Sequence, residues 1–305
     1  MSVEQHEWER FLLFDRFYRK TLRDSKRDVP KVPFSETETL VLVTVAKEPG
    51  LDRAGVASRL GVSPGSVGRA AKSLLSKGFL KGKTGQEGRG ITFFATEEGL
   101  NARGGIESRF RETAEKFFQG GTPSERDEIL SAMAAIMSCR KRPGREDLVI
   151  RPYRPGELGI VSRRHCVLYN EEYAFDGTFE NYLLEGLSRF LWESGGKGEV
   201  WVVDYWGLVL GSIAIVETGP REAQLRWFYL EPRCRGLGMG KSLMETAMGY
   251  CRDRDMEKVF LWTVKDLEAA RHLYGEFGFS AVETNAHFLW GREIVEEKWE
   301  IRLKG

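Results

Sequence analysis

Three glycines at alternate positions, Gly236, Gly238 and Gly240, constrain this chain more than any other feature. They lie in the stretch Leu230-Glu231-Pro232-Arg233-Cys234-Arg235-Gly236-Leu237-Gly238-Met239-Gly240-Lys241. Before it, residues 224–230 read as a buried strand; after it, Leu243, Met244, Ala247 and Met248 recur at helical spacing. Glycine lets the backbone turn sharply and present its N–H groups with no Cβ in the way. The helix behind adds a partly positive N-terminus, so the turn is a ready anion site, flanked by the charges of Arg235 and Lys241.

Spacing decides which anion motif this is. A Walker loop needs four residues between its first glycine and Gly-Lys-Ser/Thr; Gly240-Lys241-Ser242 supplies the end, but Gly236 sits one residue too close. A dinucleotide fingerprint needs two residues between its second and third glycines, and one is present. Arg-x-x-Gly-x-Gly does fit, at Arg235, Gly238 and Gly240, and there the chain resembles the acetyl-CoA pyrophosphate loop of the GNAT superfamily of N-acetyltransferases. A glycine turn without a ligand is the plain alternative. The later stretch Ala270-Arg271-His272-Leu273-Tyr274-Gly275-Glu276-Phe277-Gly278-Phe279, after a strand-like Val259-Phe260-Leu261-Trp262, resembles that family's tyrosine-bearing helix. A position the family often fills with asparagine is Leu267 here.

A length of 305 residues is about two domains, and 30% charged residues mark a globular chain. No stretch approaches the roughly 18 apolar residues of a membrane span, so a cytoplasmic protein is expected. Cys139, Cys166, Cys234 and Cys251 have neither metal nor redox spacing and read as reduced and structural. The near-neutral total conceals a division. Residues 1–146 carry 26 Lys and Arg against 20 Asp and Glu, and residues 147–305 carry 20 against 25, so a polyanionic partner is expected at the front.

Residues 7–22 read as a helix with Phe11, Leu12, Phe14 and Phe17 on overlapping faces, too apolar to stand alone. Ser35-Glu36-Thr37-Glu38 is a capping box that opens a second helix. Residues 51–60 predict a short helix, Gly61-Val62-Ser63 a turn, and Ser63 with Pro64 the start of another helix that ends at Gly78. This is a helix-turn-helix pattern in which Val67, Ala70, Ala71 and Leu74 face the core and Ser66, Arg69, Lys72 and Ser73 face outward. A hairpin with a glycine-rich tip at 82–90 follows, then a helix start at 96–100 and helices at 103–118 and 124–137. Between residues 53 and 95 there are eight Lys/Arg and one Asp/Glu. Those charges are either a solvated face or a set placed to neutralise phosphates on both sides of a groove.

Over residues 1–140 the chain resembles the MarR family of winged-helix transcription regulators, through Ser-Pro-Gly-Ser-Val at the recognition helix and Thr-Glu-Glu-Gly after the wing. Where that family usually has Asp-x-Arg at the wing tip, this chain has Glu87-Gly88-Arg89. The resemblance implies double-stranded DNA read through Ser63, Ser66, Arg69, Lys72, Lys81, Lys83 and Arg89, and a homodimer joined by the first, 103–118 and 124–137 helices. The expected organisation is multidomain: a mainly α winged helix at 1–141, a linker at 142–147, and an α/β GNAT fold with a mixed central sheet at 148–305.

The GNAT resemblance implies acetyl-CoA as cofactor, held by Phe228, Leu230, Arg235, Gly236, Leu237, Gly238, Met239, Gly240 and Lys241. The acceptor is a primary amine, on a small molecule or a protein lysine. An alkylamine near pKa 10 must shed a proton before it attacks, and a carboxylate is the usual base. Glu172 is favoured, with Asp176 and Glu231 as alternatives and a helix cap as the plain role of Asp176. The departing thiolate needs a proton, and the resemblance assigns it to Tyr274. A phenol at about 10 is a weaker acid than a thiol at about 8.5, so the site must close that gap. His165, Tyr169 and Tyr173, at helical spacing with Glu172, are expected to line the acceptor pocket or to be packing residues. The rival to a bifunctional regulator and acetyltransferase is a regulator whose rear half only senses acyl-CoA or another metabolite.

Overall fold

A computed structural model of the chain describes residues 4–26, 33–84, 90–193 and 197–303. The chain divides into two compact units, Met1–Gly121 and Thr122–Gly305.

The front unit runs α1 (Gln5–Ser25), α2 (Glu36–Lys47), α3 (Arg53–Leu60), α4 (Pro64–Ser76), β1 (Leu80–Thr84), β2 (Ile91–Ala95) and α5 (Glu97–Phe117). Its starts and stops follow local chemistry. Ser35 accepts from the Glu38 amide at 3.2 Å while Glu38 accepts from the Ser35 amide at 2.7 Å, closing the capping box. Asp52 caps α3, Gly61 ends it at φ 65°, and Ser63 caps α4. Val41, Leu42, Val56, Val67, Leu74, Leu80, Phe93 and Ile106 form one core beneath the antiparallel β1–β2 hairpin. Ser73, expected to face outward, instead donates to the buried Glu38 at 2.6 Å, beside Lys77 at 2.8 Å. A buried carboxylate needs such donors; the Lys77 hydrogen bond, then those of Ser73 and the Ser35 amide, hold its pKa down to about 2. The helix expected at 103–118 continues from the start at 96 as one helix through Gly104 and Gly105. Helix α1 leaves Phe11, Leu13 and Phe17 68%, 67% and 64% exposed.

The rear unit contains α6 (Pro123–Arg140), β3 (Val149–Pro152), α7 (Glu157–Tyr173), α8 (Gly177–Glu193), β4 (Gly198–Tyr205), β5 (Leu208–Gly219), β6 (Glu222–Leu230), α9 (Met239–Asp253), β7 (Lys258–Val264), α10 (Glu268–Glu276), β8 (Ser280–Leu289) and β9 (Arg292–Arg302). The sheet order is β3-β4-β5-β6-β7-β9-β8, and only β6 and β7 pair in parallel. Alternation along β4 sorts two cores: Val200 and Val202 join Leu168, Phe179 and Leu183 of α7 and α8, whereas Trp201 and Val203 join Leu243, Met244 and Met248 of α9. This is an α/β fold with a mixed sheet.

The expected boundary at residue 141 moves. Helix α6 belongs to the rear unit, where Ala134 is buried in the α9-side core and Ser131 donates to the Gly207 carbonyl at 2.9 Å. The apolar residues of α6 are spread around the helix rather than gathered on one face, so long-range packing decides which unit captures it. Among the described residues no helix is long and apolar enough to cross a membrane.

Candidate active site

The parallel pair β6–β7 is hydrogen-bonded only where Glu222, Ala223 and Gln224 meet Lys258, Val259 and Phe260. Beyond that the strands part. Strand β6 stays with β5 as far as Leu230, and β7 stays with β9 as far as Val264. The facing edges therefore border an opening with main-chain donors and acceptors.

Strand β6 enters this opening through a bulge. Tyr229 pairs with Ser212 and Arg226 with Ala214, so Trp227 and Phe228 together oppose one residue. Trp227 sits at φ 48°, and its carbonyl accepts from the buried Ser212 hydroxyl at 2.6 Å. The extra residue reverses the alternation. Ala223 and Leu225 pack in the α9-side core, whereas Trp227 and Tyr229 pack in the α7–α8 core. Phe228 and Leu230 thereby pack on the α9 side.

The glycine loop lies at the end of β6. Gly236 and Gly238 adopt φ 73° and 76°, a left-handed conformation that any other residue would enter at a cost. Gly238 is the N-cap of α9 and brings no side-chain acceptor, so the first-turn amides stay open. A Cβ on Gly240 would touch Leu273, Leu230 and Phe228 at 3.4–3.7 Å, so the loop also packs closely against β6 and α10. Two arginines outside the motif reach it from the expected linker. Arg142 donates to the carbonyls of Arg233 and Arg235, and Arg145 donates to Ser242 Oγ at 3.2 Å. The motif search missed them because they precede the loop by some ninety residues; the basic run Arg140-Lys141-Arg142 was their only signal.

Two cavities occupy the opening. One, of about 500 Å³, is lined by Gly236, Gly238 and Gly240, by Phe228 and Leu230, by Tyr169, Glu172 and Tyr173 of α7, and by Leu267 and Leu273. The other, of about 80 Å³, is lined by aromatic residues including His165, Tyr169, Phe179, Tyr182, Trp227 and Trp290, with Arg226, Thr263, Tyr274 and Glu296. Tyr169, Phe228 and Leu267 line both, so the cavities adjoin.

The expected site residues divide between them. Arg235 lines the loop-side cavity with the three glycines, and there donates to the Leu230 carbonyl at 2.9 Å and to Glu172 at 2.8–3.0 Å. Glu172, the favoured base, is thus committed to an arginine on the loop side. Glu231 is buried and gripped by Arg164 at 2.5 and 3.0 Å, with Arg233 at 3.5 Å. Asp176 accepts from the Thr178 amide and hydroxyl at 2.9 and 2.5 Å, the helix-cap role. None of the three is a free base. Glu296, which β9 brings to the aromatic cavity, approaches His287 at 3.2 Å and was not anticipated, because no local pattern marks it.

His165 and Tyr169 line the aromatic cavity, and Tyr173 the loop-side one. Burial lowers the His165 pKa to about 3, so its ring is neutral at physiological pH. Tyr274 is 5% exposed among Phe228, Phe279 and Trp299. Burial raises its pKa above the phenol range, so it stays protonated. Leu237 and Met239 pack inward and Lys241 is exposed. Cys234 is buried and its thiol is pushed up to about 11 by desolvation, which keeps it unreactive.

In the front unit Ser63, Arg69, Lys72, Lys81 and Lys83 are exposed and Ser66 is half-buried. Ser63 and Ser66 bond to each other at 2.9 Å, and Arg69 donates to Ser66 at 3.3 Å. Lys83 lies 5.0 Å over the Phe94 ring. Arg89 falls outside the described residues.

Residues 165–279 match the acetyltransferase (GNAT) family. An uncharacterized N-acetyltransferase of Schizosaccharomyces pombe is 29% identical over 122 residues, 39% of this chain and 74% of its own length. YjgM, an uncharacterized N-acetyltransferase of Escherichia coli, is 33% identical over 86 residues, 27% of this chain and 52% of its own length. Among solved structures, the Salmonella typhimurium acetyltransferase yncA, determined with its cofactor acetyl-CoA, is 15% identical with a TM-score of 0.43 over 52% of this chain and 95% of its own. An N-acetyltransferase from Staphylococcus aureus Mu50 is 16% identical with a TM-score of 0.45 over 52% of this chain and 99% of its own. The rear unit thus carries a GNAT acetyltransferase domain.

Proposed function

We propose that the protein is a DNA-binding regulator joined to an acetyl-CoA-dependent N-acetyltransferase that acts on a primary amine. The observation that carries the catalytic half is the parting of β6 from β7 beside a glycine loop whose helix amides are uncapped. Those amides, with Arg142 and Arg145 close by, suit a diphosphate; the unpaired edge of β6 near Phe228 and Leu230 suits an amide-bearing arm. Arg235, tied to Glu172 and to the Leu230 carbonyl, positions the loop and lines the same cavity. Bound acetyl-CoA supplies an activated acetyl thioester.

The chain's own groups then handle the protons. Glu296 takes one from the incoming ammonium and shares it with His287, which is half-exposed and opens toward water. Tyr274 holds a proton that it would give to the departing sulfur, and it would regain one from the acceptor nitrogen, which must lose a second proton to become an amide. Its raised pKa would oppose this if the sulfur were solvated. The same dry walls destabilise a thiolate as well, so the gap between donor and acceptor narrows.

For the front unit, α3 and α4 across the Gly61 turn, the β1–β2 hairpin and the exposed cations support a winged helix-turn-helix on double-stranded DNA. The bare apolar face of α1 supports pairing with a second copy.

The catalytic test is release of CoA from acetyl-CoA across an amine panel. Tyr274→Phe is expected to lower kcat by about 100-fold while the calorimetric Kd for acetyl-CoA holds. Cofactor binding with no turnover of any amine would make the rear unit a sensor.

A further inference from the structure

The bulge in β6 has an effect on the acceptor side. By reversing the alternation between 226 and 227, it sets two consecutive side chains, Arg226 and Trp227, on the same aromatic cavity. The Arg226 guanidinium lies 5.0 Å from the Trp227 ring and 5.7 Å from the Tyr182 ring. It also fits against Gly186 on α8, where a Cβ would come within 2.7 Å of its terminal nitrogen. Stacking and that gap hold the cation in place.

Its N–H groups are almost unclaimed. Arg151, Arg164, Arg235 and Arg271 of the same unit each hold a carboxylate within 2.9 Å. Among the described residues Arg226 pairs with no acid, and its one polar contact is Tyr182 Oη at 3.5 Å. Gln224 and Arg226 also border a neighbouring groove of about 770 Å³. That groove is lined by Lys197, Arg189, Arg221 and Arg254; Arg221 pairs with Glu257 and Arg254 with Glu217, and the remaining excess of positive charge favours anions beside Arg226.

The lining of the aromatic cavity also carries the opposite polarity. Glu296 is the carboxylate in its lining, and three buried polar atoms there have no hydrogen-bond partner: His165 Nδ1, Trp227 Nε1 and Thr263 Oγ1. Buried polar groups of this kind are ordinarily satisfied, and a polar ligand would satisfy them.

We infer that the acceptor is an amino acid-like zwitterion: its carboxylate is taken by Arg226 in a forked ion pair, its amine is directed to Glu296, and its carbon skeleton lies against the aromatic walls. This rests on the acetyltransferase reading of the site. A polyamine would carry a second ammonium toward Arg226 and be repelled. A simple alkylamine would leave the fork unused.

Calorimetric titration with acetyl-CoA comes first, and release of CoA with any amine of the panel tests the acetyltransferase reading by itself. Leucine, phenylalanine, glutamate and lysine are then assayed beside their decarboxylated amines and their methyl esters, with spermidine as the cationic arm. At least one free amino acid is expected to exceed both of its partners in kcat/KM by about 30-fold or more. Arg226→Gln is expected to erase that preference, the loss falling on KM. Gly186→Ala, which pushes the guanidinium aside while favouring the helix, should raise KM for the amino acid roughly tenfold without lowering Tm. Equal rates within the pairs, preference for the decarboxylated amine or spermidine, or acetyl-CoA binding with no amino acid acetylated would each overturn the inference. The last of these with amines still acetylated would leave the acetyltransferase reading standing.

Discussion

The two helices offered to phosphates, α4 in the front unit and α9 in the rear, begin in opposite ways. At α4 the Ser63 hydroxyl accepts from the Ser66 amide at 3.2 Å, and Pro64 has no N–H to give. Whatever this helix offers an anion must come from side chains such as Arg69 and Lys72. At α9 the cap is Gly238, which closes nothing, and the backbone itself is the offered surface. The first arrangement suits a polymer whose phosphates are met anywhere along a groove, since long cations adapt and displace counterions. The second suits one small ligand held in one pose, since fixed amides lose little entropy on binding.

Breaking the rear half of the contrast should have the largest effect. Gly238→Val forces a β-branched residue into a conformation at φ 76° and should weaken acetyl-CoA binding by about 10- to 100-fold, read by calorimetry. DNA affinity should not follow. The side-chain half gives next: Arg69→Ala should weaken DNA binding about tenfold and flatten the slope of log affinity against log salt by about one, read by fluorescence anisotropy. Acetyl-CoA affinity should hold at every salt concentration.

Acid should separate the units with a smaller signal. His165, with its folded pKa depressed from 6.5 to about 3, adds stability that is complete above 6.5 and lost as pH falls toward 3. Glu38, depressed from 4.5 to about 2, adds stability that is complete above 4.5 and lost as pH falls through 2. Seven of the eight tryptophans lie in the rear unit and Trp8 alone in the front. Tryptophan emission should therefore shift on acidification before the front unit loses its helical circular dichroism. The smallest effect belongs to the cap: Ser63→Ala should cost about 1 kcal/mol in front-unit denaturation, and Ser63→Gly only a few tenths.

What could be read in advance was local. Ser35 with Glu38, Ser63 with Pro64, and Gly236 with Gly238 act within a few residues of themselves, so their chemistry is written where it is used. The start of helix α7 is hard to read because it rests on Gly156 at φ 94° and no Ser, Thr or Asp announces it. Strand β8 is equally hidden, since its exposed stretch from Ser280 carries no alternation to recognise. The acceptor cavity was the least legible part. Arg226, Gly186, Trp290 and Glu296 come from four elements, and what joins them is the separation of two strands plus one inserted residue. Charge alone suggested Glu172 and Arg235 as separate actors, whereas the fold neutralises each with the other.

That inserted residue means one strand is written in two phases. Side chains up to Arg226 and those from Trp227 onward obey opposite parity, so on the proposed reading specificity for the amine and grip on the thiol carrier are encoded by neighbouring codons. A single-codon deletion at 227 would merge the phases and remove the bulge: Arg226 and Phe228 already face opposite sides, so the residues on either side of the deletion would keep their faces. Point substitution at 226, by contrast, can retune which amine is chosen while the carrier's berth stays as it is.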